Sequence, residues 1–170
     1  MRRRHAQPEL DGWRTMRARS DEGTFESDER VRVAGPVVEF SEYGARVLAD
    51  RYWLEVSRAS RGFVRRRDTS RGLELRLLGR GPCLLSFDPA EHTSDLDEVR
   101  CRYPIAGGLL TRQPGGELNL SQSGSQPAEL RATVRAFVPR WSGSLYEQVQ
   151  LRFHVAISRR YFKRLIAEAS

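Results

Sequence analysis

From Ser144 to Ala169 the chain runs without a glycine or a proline, while the sequence before it is broken by one or the other at short intervals. An uninterrupted stretch of that length with apolar residues every third or fourth position predicts an amphipathic helix over 144–169. Ser144-Leu145-Tyr146-Glu147 fits a capping box, Ser144 serving the exposed amides and Glu147 reaching back. Leu145, Val149, Phe153 and Ile157 then recur at i+4 as one face, with Phe153 at its centre, either in the core or lining a ligand cavity. On a helical wheel Tyr161, Phe162, Leu165 and Ile166 fall roughly opposite that stripe, while Arg152, Arg159, Arg160, Lys163 and Arg164 gather on another side. The expectation is a helix that bends near Ser158 or touches two surfaces, one of which could be a second copy in a homodimer. Arg159, Arg160, Lys163 and Arg164 are expected to face solvent.

Upstream, the period falls from 3.6 to 2. Arg30-Val31-Arg32-Val33, Leu73-Glu74-Leu75-Arg76-Leu77 and Val99-Arg100-Cys101-Arg102-Tyr103 alternate apolar with charged residues, as half-buried strands do. Cys83-Leu84-Leu85-Ser86-Phe87 reads as a compact buried strand, and Leu130, Ala132, Val134 and Ala136 mark the last strand, which stops at Pro139. Gln113-Pro114-Gly115-Gly116 is a turn between Leu109-Leu110-Thr111-Arg112 and Leu118-Asn119-Leu120. Arg65-Arg66-Arg67-Asp68 reads as a turn, Asp88 to Glu98 as an acidic loop. Residues 41–57 fit either a strand through Tyr52, Leu54 and Val56 or a short helix from Glu42 to Ala49. Turn signals every eight to twelve residues favour an antiparallel sheet, barrel or half-barrel. Residues 1–22 lack sustained periodicity and are read as a mobile arm, with Leu10, Trp13 and Met16 docking on the body, so that 23–170 form a single β-rich domain.

The length of 170 residues allows one domain with a sizeable core. Net charge is +7, which invites a nucleic-acid or anionic-membrane partner. Lys163 is the only lysine, however, so the balance is almost wholly arginine, as a high-GC coding bias also produces. No apolar run is long enough to span a bilayer, and the basic start, Met1-Arg2-Arg3-Arg4, has no apolar segment behind it. The sequence therefore predicts a cytoplasmic chain. Cys83 and Cys101 lack disulfide-framework or zinc spacing. Folding the 88–98 loop symmetrically about residue 92 would set Cys83 opposite Cys101, as free buried thiols.

Signals for chemistry are sparse. Phosphate-loop, nucleophile-elbow and paired-histidine motifs are missing, so no cofactor and no metal are expected. His92, with Asp88, Glu91, Asp95, Asp97 and Glu98, could hold a divalent cation, but the spacing matches no calcium loop and a solvated acidic loop is the better reading. His154 is either a packing residue or a general base. Arg58, Arg61, Arg65, Arg66, Arg67 and Arg71 surround Phe63, a composition suited to phosphate contact with base stacking. A curved sheet closed by one helix leaves an interior in which Trp53, Leu75, Phe87, Tyr103, Phe153 and His154 would line a pocket or simply fill the core.

The segment Phe137-Val138-Pro139-Arg140-Trp141-Ser142-Gly143-Ser144-Leu145-Tyr146, continued by His154, Ile157 and Arg160, resembles the end of START-like domains. It is similar to the one that some bacterial short-chain dehydrogenase-like proteins carry at their C-terminus. Trp141 stands where glycine is usual, and the helix pair expected after the first strand is not evident in 36–57. The resemblance covers roughly a fifth of the chain and implies a helix-grip fold with a hydrophobic cavity. The reading is an α+β chain, a curved antiparallel half-barrel gripping a long C-terminal helix. It would bind, or isomerise or cyclise, a small apolar ligand through Trp53, Leu75, Phe87, Tyr103, Phe153 and His154. One alternative is a non-enzymatic module docking nucleic acid or an anionic membrane through Arg65, Arg66, Arg67, Arg159, Arg160, Lys163 and Arg164. Another is a ligandless protein–protein module.

Overall fold

Alternation along the strands decides which side of each is buried, and the buried sides all face one concave surface. The computed structural model describes residues 14–19, 23–141 and 144–169. Its strands are β1 (Arg14–Arg19), β2 (Phe25–Val33), β3 (Val64–Thr69), β4 (Gly72–Leu77), β5 (Cys83–Phe87), β6 (Glu91–Ser94), β7 (Glu98–Gly107), β8 (Glu117–Ser123) and β9 (Ala128–Phe137). Among the described residues two helices complete the fold, α1 (Glu42–Ala59) and α2 (Ser144–Ala169). The sheet runs β1-β2-β9-β8-β7-β5-β4-β3, antiparallel at every pairing, with β6 on β7. Val31 and Val33, Val99, Cys101 and Tyr103, Leu118 and Leu120, and Leu130 and Ala132 bury on the concave side. Opposite-charge pairs cover the other face: Asp28 takes Arg30 and Arg131, and Arg102 takes Glu91 and Glu117. Register shifts between Phe25 and Ser27, Leu75 and Arg76, and Ser86 and Phe87 add the local twist that curves an open sheet.

The predicted half-barrel and long C-terminal helix are both present, and the helix spans 144–169 as expected. A second helix shares the concavity. The ambiguous stretch 41–57 is helical because Ser41 caps it, its hydroxyl accepting from the Gly44 amide at 3.1 Å. Gly44 is required there, since a Cβ would come within 1.9 Å of the Glu39 carbonyl oxygen. Leu48, Ala49, Tyr52, Trp53 and Val56 then bury at i, i+1, i+4, i+5 and i+8. The apparent strand alternation of Tyr52, Leu54 and Val56 is accidental, because Leu54 faces solvent.

Five local expectations are corrected. Arg65-Arg66-Arg67-Asp68 lies within edge strand β3, and its charges suit an edge that must not pair with another chain. The acidic loop contains β6, whose His92 pairs with Cys101. The inserted strand occupies the first half of β7, so β5 meets only the second half and Cys83 lies opposite Arg76, not Cys101. Both thiols are free, Cys101 buried and Cys83 half-buried. Residues 109–112 form no strand beyond the single bridge Thr111–Pro139, and the hairpin is β7–β8 instead. Arg14–Arg19, inside the segment read as an arm, pairs with β2, with the Thr15 hydroxyl donating to Glu29 at 2.9 Å. Leu10, Trp13 and the capping side chains Ser144 and Glu147 lie outside the described residues.

On α2 the wheel expectation is also corrected. Ile157, Ser158, Tyr161, Phe162, Leu165 and Ile166 form one continuous buried stripe, so neither a bend nor a second copy is needed to cover them. Phe153 is not core: it is 39% exposed.

Candidate ligand cavity

Between β4, β5 and β7 on one side and the two helices on the other lies a cavity of about 150 Å³. Leu75, Leu85, Phe87 and Ile105 form its sheet wall, Trp53 and Val56 come from α1, and Phe153, His154 and Ile157 from α2. Register places these residues: Leu75 pairs with Leu85 and Phe87 with Ile105, so their side chains stand on the same concave face. Trp53 packs against Phe87 with ring centroids 5.3 Å apart, which fixes the back of the cavity.

Polar groups in the lining are few, and His154 is the most telling. Its Nδ1 lies 3.3 Å from the Tyr52 hydroxyl, while Nε2 is buried with no hydrogen-bond partner. If Tyr52 donates to Nδ1, Nε2 carries the proton; the opposite tautomer leaves Nε2 a bare acceptor. Burial pushes the imidazole down to about 4 and the Tyr52 hydroxyl well above its ordinary range, so both are neutral near pH 7. A buried nitrogen with no partner costs free energy that a bound hydroxyl or carbonyl would recover.

Of the six residues read as candidate ligand contacts, the structure brings Trp53, Leu75, Phe87, Phe153 and His154 to the wall of this cavity. Tyr103 does not. It packs edge-on behind Trp53 at 5.1 Å and faces a separate recess of about 320 Å³ between α1, β3, β4 and β6. That recess is polar, with Arg46, Asp50, Arg66, Asp68 and His92 on its walls. Sequence reasoning missed the contribution of the loop residue Leu110 and of Val64, because neither belongs to an alternating run longer than two residues.

The expected anion-binding residues are dispersed. Arg66 turns inward to Asp50 at 2.8 Å and Asp68 at 2.9 Å, and these bonds outweigh its burial to hold it charged. Arg65 and Arg67 project to the other face of β3 and are exposed. On α2, Arg159, Arg160, Lys163 and Arg164 are exposed as expected, but Arg164 already binds the buried carboxylate of Glu55 at 2.5 Å. Among the described residues no cluster of three or more metal-ligating side chains occurs. No described helix is long and apolar enough to cross a membrane.

No protein-family model matches the chain, and no curated protein matches it. Two solved structures are similar. The solution structure of CalU16 from Micromonospora echinospora is 19% identical with a TM-score of 0.42, over 92% of this chain and 76% of that one. The crystal structure of CalU16 is 16% identical with a TM-score of 0.37, over 92% of this chain and 91% of that one. At these values no residue role passes from one protein to the other.

Proposed function

We propose that this protein binds one small, largely apolar molecule between sheet and helices. The observation that carries the reading is a lining of aliphatic and aromatic side chains interrupted by a buried imidazole nitrogen without a partner. Volume sets the scale. Apolar cavities of about 150 Å³ hold a benzene-sized molecule, whereas pockets for larger ligands run to about 300 Å³ and above. A single ring or short branched chain carrying one hydroxyl or carbonyl for His154 Nε2 matches both the space and the polarity. The helix-grip resemblance of 137–160 implies a cavity of the same kind.

Binding is favoured over isomerisation or cyclisation by the state of His154. A base held at about 4 is a weak proton acceptor at neutral pH, and the hydroxyl beside it, on Tyr52, is still harder to ionise. Fluorobenzene titrated against the folded protein should show saturable broadening of its fluorine resonance. Native mass spectrometry of protein from its own host should show a retained molecule of that size. A folded protein that neither retains a molecule nor saturates with the probe sinks the reading.

A further inference from the structure

Around the mouth of this cavity the protein exposes large apolar side chains that its core has not taken up. Phe63 and Leu78 are each 58% exposed, Trp141 49% and Leu109 44%, and Leu77 and Phe153 are also open to solvent. They come from four separate loops, from the end of β4 and from α2, yet they converge. The Leu78 amide donates to the Phe63 carbonyl at 2.7 Å, and Leu77 pairs across the sheet with Val64, a cavity-wall residue. The Leu110 amide donates to the carbonyl of Leu84, and the Arg140 amide to that of Leu110, tying the remaining loops to the same rim.

Charge at this rim has one sign. Segments 60–65, 77–82, 107–116 and 138–141 contain no Asp or Glu, while they supply Arg61, Arg65, Arg80, Arg112 and Arg140. All five are exposed, and none forms an ion pair among the described residues. By contrast, Arg76 on β4 binds Glu74 and Arg100 on β7 binds Glu98. The backbone is also held in an unfavourable form here. Arg61 and Leu78 sit at φ 52° and 53°, a region that usually goes to glycine or asparagine. Left-handed backbone at Leu78 is maintained for a side chain that packs little of its surface against the fold.

We propose that this rim docks on an anionic lipid bilayer, with Phe63, Leu78, Leu109 and Trp141 entering the interface and the arginines meeting acidic headgroups. Apolar tips interleaved with cations are what an interfacial anchor requires, each lipid-facing cation adding attraction within a Debye length of the surface. Separate loop tips around an opening form no groove to grip a helix, and the edge strand beside them, β3, carries Arg65, Arg66 and Arg67, charges that oppose strand addition, which favours a fluid surface over an acidic protein. The cavity then opens onto the bilayer, so an apolar molecule could pass between them without crossing water. Docking itself does not depend on the cavity being filled.

Co-sedimentation with phosphatidylcholine vesicles, alone and with about one-third phosphatidylglycerol, tests this at low and physiological salt. The protein should partition onto the anionic vesicles and not the neutral ones. Phe63→Ser with Leu78→Ser, and separately Arg80→Glu with Arg112→Glu, should each lower partitioning more than about tenfold. These exposed changes should leave the melting transition in place, which shows that the variants are folded. Arg160→Glu with Lys163→Glu, about two turns or more beyond Phe153 along α2, should bind like the unaltered chain. The proposal is overturned by absence of binding at low salt, by rim variants that bind normally, or by equal loss in the α2 variant. Binding to an acidic protein but to no vesicle overturns it as well.

Discussion

The two ends of the concavity are built from similar residues and end differently. At one end Val31, Val99, Leu120 and Leu130 are fully buried, as are Tyr161 and Phe162 of α2. Gln122 latches the chain over them, accepting from the Val37 amide at 2.6 Å and the Val38 amide at 3.0 Å and donating to the Val38 carbonyl at 2.8 Å. At the other end Val64, Leu84, Leu85 and Phe153 are only partly covered and the cavity opens. The turns account for the contrast. Gly79, Gly81, Gly107, Gly108, Gly115 and Gly116 all fall at the open end. Gly108 lets two backbones approach so closely that a Cβ would lie 2.4 Å from the Leu84 carbonyl oxygen. Such glycines tighten the rim but supply no side chain to fill the space beneath it. A packed end gives stability and an unfilled one gives room for a ligand.

The contrast breaks most readily at two phenylalanines on α2. Phe162→Ala removes a ring at 1% exposure and should cost about 3–5 kcal/mol. Phe153→Ala, at the mouth, should cost less than about 1 kcal/mol while weakening ligand binding. Urea denaturation of both variants checks this, and equal losses would mean that the mouth is core.

A second test uses protons. Burial lowers His154 from its ordinary 6.5 to about 4, so the unfolded chain takes up a proton that the folded one refuses. Stability is therefore complete above about pH 6.5, falls as pH drops through that window and levels below about 4, a loss of about 2–3 kcal/mol after allowing for the ring's partial exposure. Asp28 acts lower. Burial opposes its charge, but hydrogen bonds from Arg131 and Arg30 prevail and hold it at about 2, so its contribution is present above 3.8 and lost as pH falls toward 2. Denaturation at pH 7 and pH 4.5 should show most of the difference vanishing in His154→Phe. An unchanged slope would place the burden on other groups.

The architecture was legible because period-2 alternation and an unbroken C-terminal helix are local signals; they set Leu75 and Phe87 on strands and Phe153 and His154 on the helix, whereas Trp53 was named by its residue type alone. What escaped depends on distant partners. Tyr52-Trp53-Leu54-Glu55-Val56 satisfies a strand pattern and a helix pattern alike, and only packing against α2 and the sheet decides. His92 marks a strand whose reason for existing is the unpaired first half of β7, which no window around residue 92 contains. Phe153 lies on the same helical stripe as Ile157, and its exposure follows from the gap opposite it, not from its own neighbours in sequence.

A third test loosens the closed end without touching its apolar core. Gln122→Leu keeps the volume and removes all three hydrogen bonds to Val37 and Val38, which should cost about 1–2 kcal/mol, since water reaches part of that backbone. Amide exchange at those two positions should accelerate while protection of β8 and β9 persists. Exchange that accelerates across the whole sheet would show the latch to be part of the global core.

The smallest expected effect on stability is the sharpest test of the open end. Leu85 stands in the cavity wall opposite Leu75, and both project from the concave face. Enlarging a side chain in a filled core typically costs about 1–3 kcal/mol, because neighbours are forced off their rotamers. Where about 150 Å³ is already free, the added ring has somewhere to go. Leu85→Phe should then change stability by less than about 1 kcal/mol, with apolar burial offsetting the adjustment. The same ring occupies the space of a benzene-sized guest, so saturable fluorobenzene binding should disappear in this variant. Loss of binding with stability retained identifies an open site. A destabilisation above about 2 kcal/mol would mean that the space is filled in solution and that the two ends are alike.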